Sequence, residues 1–303
     1  MKATNTPFNC GDVSESVDRM RAILNASDGA FEEKDSIPVA DSLTFENGFY
    51  VNCSSLFIDI RGSSRLPDLH TRPVLAKIYR AYISECVAVM NSDPNCREVF
   101  INGDCVSAII DTPLQRDINT AFESAARLSS LVMILNWQLE KKGYTSIKCG
   151  IGLAYGRALM LKAGFKGYAI NDIVWMGDVV NEASKLCGRG NKDGNAPVQV
   201  SAVAHENLTE KYKGFLGRKL DLDPIGYRYE GHVVNVGMDK WLTEQKEKER
   251  RDAQTYAYLN SLFRQTPPPP RLLGGLSALR PVPPANALWT LAELAKFGYP
   301  PKR

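Results

Sequence analysis

The chain has 303 residues, 44% hydrophobic and 23% charged, with a formal net charge of +3 at pH 7. That balance suits one large globular domain with extensions. It excludes a low-complexity chain and gives no bulk electrostatic case for a nucleic-acid partner. Seven cysteines and three histidines, with no Cys-x-x-Cys, argue against a zinc site or a disulfide framework and for buried thiols in a reducing, cytoplasmic compartment. The N-terminus lacks a signal-peptide pattern, and no apolar run reaches the ~18–20 residues of a membrane span, so no membrane insertion is expected.

The first 44 residues read as an extension. Val17, Met20, Ile23 and Leu24 share helical spacing, with Gly29 as a stop, which predicts a packing or dimer-contact helix. From about 45 to 242, strand and helix patterns alternate. Residues 48–60 predict a strand, or two, and 71–92 a helix. Residues 98–110 predict a β-hairpin, because Asn102-Gly103 sits between apolar runs. A long amphipathic helix is expected over 117–143, ending at Gly143, then a second hairpin over 146–164 that turns near Gly156-Arg157. A short helix follows over 178–190, with Asp178 as N-cap and Gly188 as stop. Further strands are expected at 196–201 and 226–237. The order predicts an α+β fold with a mainly antiparallel sheet flanked by helices. Beyond 243 comes a solvated charge run, then a proline-rich tail to 303 with a short helix over 286–297.

Three stretches carry candidate chemistry. Asp59 ends an apolar strand and is followed by Gly62-Ser63-Ser64, a polar turn before a helix. A carboxylate beside such a turn can hold a divalent cation, while backbone N–H groups attract phosphates. Asp104 follows Asn102-Gly103 at a hairpin tip. Two neighbouring strands ending in Asp59 and Asp104 bring together carboxylates that repel until a cation binds. On the 178–190 helix, Asn181 and Lys185 are i and i+4 and share a face, offering an amide for a ribose and a cation for a phosphate. Taken singly, each stretch also suits a surface turn or a solvated helix face.

In this order and spacing the three resemble the catalytic domain of class III nucleotidyl cyclases. The family's first metal Asp lies in Phe-x-Asp-Ile-x-Gly, here Phe57 to Gly62. Its second lies in a Gly-Asp hairpin, here Gly103-Asp104. Its transition-state pair lies in Gly-x-x-Val-Asn-x-Ala-x-Arg, here Gly177 to Lys185. The resemblance implies a ferredoxin-like, palm-type domain that cyclises a nucleoside triphosphate with two Mg²⁺ or Mn²⁺ ions per active site. It implies that Asp59, Asp104 and the Ile60 carbonyl hold the ions and that Gly62 and Ser63 cradle phosphates. Asn181 then orients the ribose and Lys185 offsets charge. These last two come from the other subunit of a homodimer with shared sites. Lys185 stands where the family has Arg, which keeps the charge and loses the bidentate fork.

Base recognition departs from both purine groups. Adenylate cyclases place a Lys and an Asp, and guanylate cyclases commonly a Glu and a Cys, where this chain has Phe100 and Val174. Asn171 and Asp172 are alternatives within a few residues of Val174. A bulky Phe100 favours a smaller base, and the ending "YEGHVVNVGMDKW" is similar to the pyrimidine cyclases of bacterial Pycsar anti-phage systems. Members make cyclic UMP or cyclic CMP and signal to a separate effector. Tyr50, Arg97, Asn102 and Asn171 are candidate base readers. UTP is favoured over CTP because Tyr50 and Arg97 are donors that could meet O4 of uracil. The odd spacing from Tyr50 to Asp59 places them on opposite pleat faces unless a bulge intervenes. The competing readings are a cytidylate cyclase, a purine cyclase and an inactive nucleotide-binding module.

Overall fold

The computed structural model describes residues 13–164, 171–220 and 226–265. The proline-rich tail and the helix expected over 286–297 lie outside them. Contacts divide the chain into one unit up to Glu249 and a second from Arg250. In the first, nine strands form a single sheet. They are β1 (Phe31–Lys34), β2 (Gly48–Ile60), β3 (Cys96–Asn102), β4 (Cys105–Asp111), β5 (Cys149–Gly164), β6 (Asn171–Met176), β7 (Val198–Ser201), β8 (Gly217–Leu220) and β9 (Tyr227–Gly231). The main path runs β3-β4-β2-β5-β7-β9-β8, with β1 beside β2 and β6 beside β5. Among the described residues only β1–β2 and β5–β7 pair in parallel, so the sheet is mainly antiparallel.

The helices are α1 (Ser14–Leu24), α2 (Leu66–Leu69), α3 (Arg72–Asn91), α4 (Gln115–Lys141), α5 (Asp178–Arg189), α6 (Ala202–Glu206), α7 (Glu210–Lys213) and α8 (Val236–Gln265). The amphipathic α3 and α4 cover one face of the sheet. Leu56, Ile58 and Ile60 of β2 meet Ile78, Tyr82, Phe122 and Leu128 there, all buried. Successive strand residues alternate between faces, so Phe57 and Asp59 turn to the other side, where α5 packs. Helix α1 forms as its spacing predicts, but Met20, Ile23 and Leu24 are exposed.

Several expectations are corrected. Gly156-Arg157 is not a turn. Strand β5 runs unbroken and pairs with every residue of β2, and its second partner is β6. The glycines of β5 make room rather than bend the chain. A Cβ on Gly150 would lie 2.2 Å from the Cys187 carbonyl oxygen, and one on Gly152 2.2 Å from that of Ala183. Helix α5 therefore rests on the strand backbone. Its N-cap is Gly177 rather than Asp178, and Gly188 lies inside the helix, which ends at Arg189 with Gly190 as its C-cap. Strand β9 stops at Gly231, and the stretch from Val236 opens α8, which carries the charge run through to Gln265. Trp241 stacks edge-on against Trp137 at 5.9 Å, and Trp137 donates to Glu249 at 3.1 Å, anchoring the first turns of α8 on α4.

Candidate active site

The β3–β4 hairpin closes between Asn102 and Cys105, leaving Gly103 and Asp104 as its two-residue loop. Gly103 has φ +65°, which glycine adopts without strain. Strand β4 pairs with β2, so Asp104 comes up beside Asp59. Burial raises the Asp59 pKa first, and the Asp104 carboxylate raises it further, while Arg61 opposes both. Asp104 Oδ2 is a buried oxygen with no hydrogen-bond partner. Two adjacent carboxylates and one orphaned acceptor form a hard oxygen donor set that fits Mg²⁺ or Mn²⁺. Ile60 follows Asp59 directly. No cluster of three or more His, Cys, Asp or Glu occurs among the described residues, so bound ions would draw further ligands from carbonyls, water or phosphates. Cys105 lies beside the pair as a thiol, pushed up to about 11 by burial and then by Asp59 and Asp104.

Arg61 occupies the other side of Asp59. Its guanidinium donates to Asp59 Oδ2 at 2.7 Å and, through the other terminal nitrogen, to the Gly188 carbonyl of α5 at 3.1 Å. One cation thus ties a candidate metal carboxylate to the negative end of the helix that carries Asn181 and Lys185. Gly62 follows at φ +66°, ψ 30°, with open space where a Cβ would sit, and caps the short turn Ser63–Arg65. The turn is braced by Tyr79, whose hydroxyl donates to the Ser63 carbonyl at 3.4 Å. Tyr79 also feels Asp104, which, after burial, raises its pKa.

Val179, Ala183, Leu186 and Cys187 form the buried stripe of α5, while Asn181 and Lys185 are exposed on its outer side. The pair therefore shares a face with each other and points away from the sheet that holds Asp59 and Asp104.

The candidate base readers separate. Phe100 lies opposite Ser107, which lies opposite Phe57, placing all three on the Asp59 face. Tyr50 is on the opposite face, since β2 carries no bulge, and the Arg157 guanidinium sits 4.0 Å over its ring. Arg97 lies at a register break in β3 and pairs with Asp111 at 2.7 Å. Asn102 is exposed beside the hairpin loop. Val174 alternates with Ile173 and Trp175, which pack into the cluster that includes Phe57 and Phe100, so it faces away from them. Asn171 begins β6 and Asp172 follows it. Motif reading passed over the pair Glu98 and Trp175. The indole Nε1 donates to Glu98 Oε2 at 2.6 Å. The only sequence signal was a carboxylate two residues before Phe100, on the same pleat face.

No family model matches the chain. The domain superposes on the adenylyl cyclase CyaB of P. aeruginosa with a TM-score of 0.52 at 18% identity, covering 62% of this chain and 96% of that one. A class III adenylyl cyclase-like ATP-binding protein from Pseudomonas aeruginosa gives a TM-score of 0.56 at 22% identity, over 75% of this chain and 49% of that one. The fold is that of a class III nucleotidyl cyclase domain. In sequence, the chain is 40% identical to a uridylate cyclase of Gulbenkiania mobilis over 81% of its own length and 100% of the relative's. It is 32% identical to a uridylate cyclase of Treponema porcinum over 75% and 79%. The chain belongs to the uridylate cyclase family and is a nucleotidyl cyclase. No described helix is long and apolar enough to cross a membrane.

Proposed function

We propose that this protein converts UTP to 3′,5′-cyclic UMP and pyrophosphate. The carrying observation is the Asp59–Asp104 pair with its orphaned buried oxygen, held in a chain 40% identical to a named uridylate cyclase. Mg²⁺ or Mn²⁺ bound there supplies activation of the ribose 3′-OH and neutralisation of the triphosphate charge. Asp59 and Asp104 hold that charge at the sheet end, with the Ile60 carbonyl beside them. The left-handed Gly62 and the turn at Ser63 leave open backbone for the phosphates. Asn181 orients the ribose, and Lys185 offsets negative charge that develops on the transferred phosphoryl group. Both face away from Asp59 in their own chain, which supports a homodimer whose sites each take Asn181 and Lys185 from the partner. The bulk of Phe100 favours a single-ring base. In the cell the product would reach a separate effector that senses the cyclic nucleotide in anti-phage defence.

The test is a product assay on purified protein with Mn²⁺ and ATP, GTP, CTP and UTP in turn. Cyclic UMP as the dominant product is expected. Cyclic CMP, or a cyclic purine, as the dominant product would overturn the base assignment, and no product from any of the four would overturn the activity.

A further inference from the structure

Strands β3 and β6 lie on opposite flanks of the central pair β2–β5, yet Trp175 of β6 touches Glu98 of β3. Their hydrogen bond spans 77 positions in sequence and is short, at 2.6 Å. The coil of the sheet brings these flanks together over one face. That face is the one bearing Asp59, because Glu98 lies opposite Ile109, and Ile109 opposite Ser55, four residues before Asp59 on the same pleat side. At about 3.3 Å per residue, four residues place the Glu98 row about 13 Å from the Asp59 row. That is the scale of a nucleotide lying with its phosphates at Asp59 and its base toward Glu98. Phe57 and Phe100 lie between the two rows and offer aromatic surface to a planar ring.

The carboxylate is set up to accept. Trp175 is only 9% exposed and donates its single N–H to Oε2. Oε1 accepts no hydrogen bond among the described residues, and Glu98 itself is only partly buried, so this oxygen is open to a ligand. Burial raises the Glu98 pKa and Asp172 adds to the rise, while the indole hydrogen bond opposes it. Uracil and cytosine differ at N3. Uracil carries N3–H, a donor, whereas cytosine carries a lone pair that a carboxylate repels.

Resting on the reading of the chain as a UTP cyclase, we infer that Glu98 reads the base by accepting N3–H of uracil and that Trp175 is the positioning residue that aims its carboxylate. Selectivity against CTP then comes from the repulsion at N3 as much as from the bond to UTP.

The experiment measures kcat/KM with Mn²⁺ for UTP and CTP in the full chain, in Glu98→Gln and in Trp175→Phe. Glu98→Gln keeps the shape and gives the site an amide that can donate to N3 of cytosine. It is expected to lower the UTP-to-CTP ratio tenfold or more. Trp175→Phe keeps the ring packing but frees the carboxylate, and it is expected to lower the ratio less. Should Glu98→Gln turn over neither nucleotide, the ratio of UTP and CTP affinities by calorimetry decides the matter. Cyclic UMP from the wild-type chain with an unchanged ratio in a Glu98→Gln variant of unaltered melting overturns this assignment alone. A wild-type chain that makes no cyclic UMP overturns the functional reading and the assignment with it.

Discussion

The two faces of the sheet are built by different rules. On the α3–α4 face, large side chains interlock: Leu56, Ile58, Ile78, Tyr82, Phe122 and Leu128 are all buried to 1% exposure or less. On the α5 face, glycines bring a helix into contact with the strand backbone, and the remaining space goes to Asp59, Phe57, Phe100 and Glu98, with Asp104 at the hairpin tip beside them. The first face supplies stability through apolar area. The second fixes where polar groups stand. Substitutions on the two faces should therefore fail in different ways.

The largest separation is expected at the carboxylates. Asp59→Asn or Asp104→Asn should cut turnover about 10³-fold, the several kcal/mol that metal binding contributes to such a transition state, with the melting temperature kept. Loss of folding in both variants would show that the pair is structural. On the opposite face, Leu128→Ala should cost about 2–5 kcal/mol of stability, read by denaturant unfolding. Activity per folded molecule at low temperature should stay the same. Gly152→Ala should break the division by costing both at once, because its Cβ would meet Ala183 O at 2.2 Å and Cys187 N at 2.3 Å. About 1–3 kcal/mol of overpacking and a displaced α5 are expected, visible as a lower melting point together with a lower kcat. If the sites are shared across a two-fold dimer, mixing Asp59→Ala with Asn181→Ala chains should recover about a quarter of wild-type activity. Half of the random dimers are mixed, and each of these carries one intact site. No recovery, with mixed dimers demonstrated, would assign Asn181 to its own chain's site.

The smallest effect lies on the α3–α4 face. His205 stacks on Tyr229 at 3.4 Å, and burial, then Lys213, lowers its pKa below 6.5. The folded chain disfavours the proton, so stability is full above pH 6.5 and falls as the pH drops below it. His205→Phe keeps the stack and should flatten that acid limb in thermal melts at pH 5 to 7.5. An equally steep limb in the variant would place the titration elsewhere.

The sequence made the candidate metal end legible because its residues are local. Phe57 to Gly62, Gly103-Asp104 and Gly177 to Lys185 are each contiguous, and the hairpin loop carries Asp104 to the end of β2 that bears Asp59. The odd spacing of Tyr50 and Asp59 likewise gave opposite faces correctly. Gly156 misled because a glycine in a strand serves equally for a turn or for a close approach, and only the arrival of Val179 at 3.6 Å from its would-be Cβ separates them. The Glu98–Trp175 pair was invisible for a different reason. It depends on how far the whole sheet coils, a property of nine strands together that no short window contains. Arg61 falls on an unspecified position of the first motif, and its partner Gly188 lies 127 positions away.

The contact of α5 with β5 has one further consequence. Where the helix and strand backbones touch at Gly150 and Gly152, no side chain intervenes whose rotamers could disorder on warming. The spacing between Asp59 and the helix that bears Asn181 and Lys185 is then fixed by the pleat of β5 and should hold until the sheet itself melts. Within one chain that spacing should therefore stay constant as the temperature rises and be lost only when the sheet unfolds.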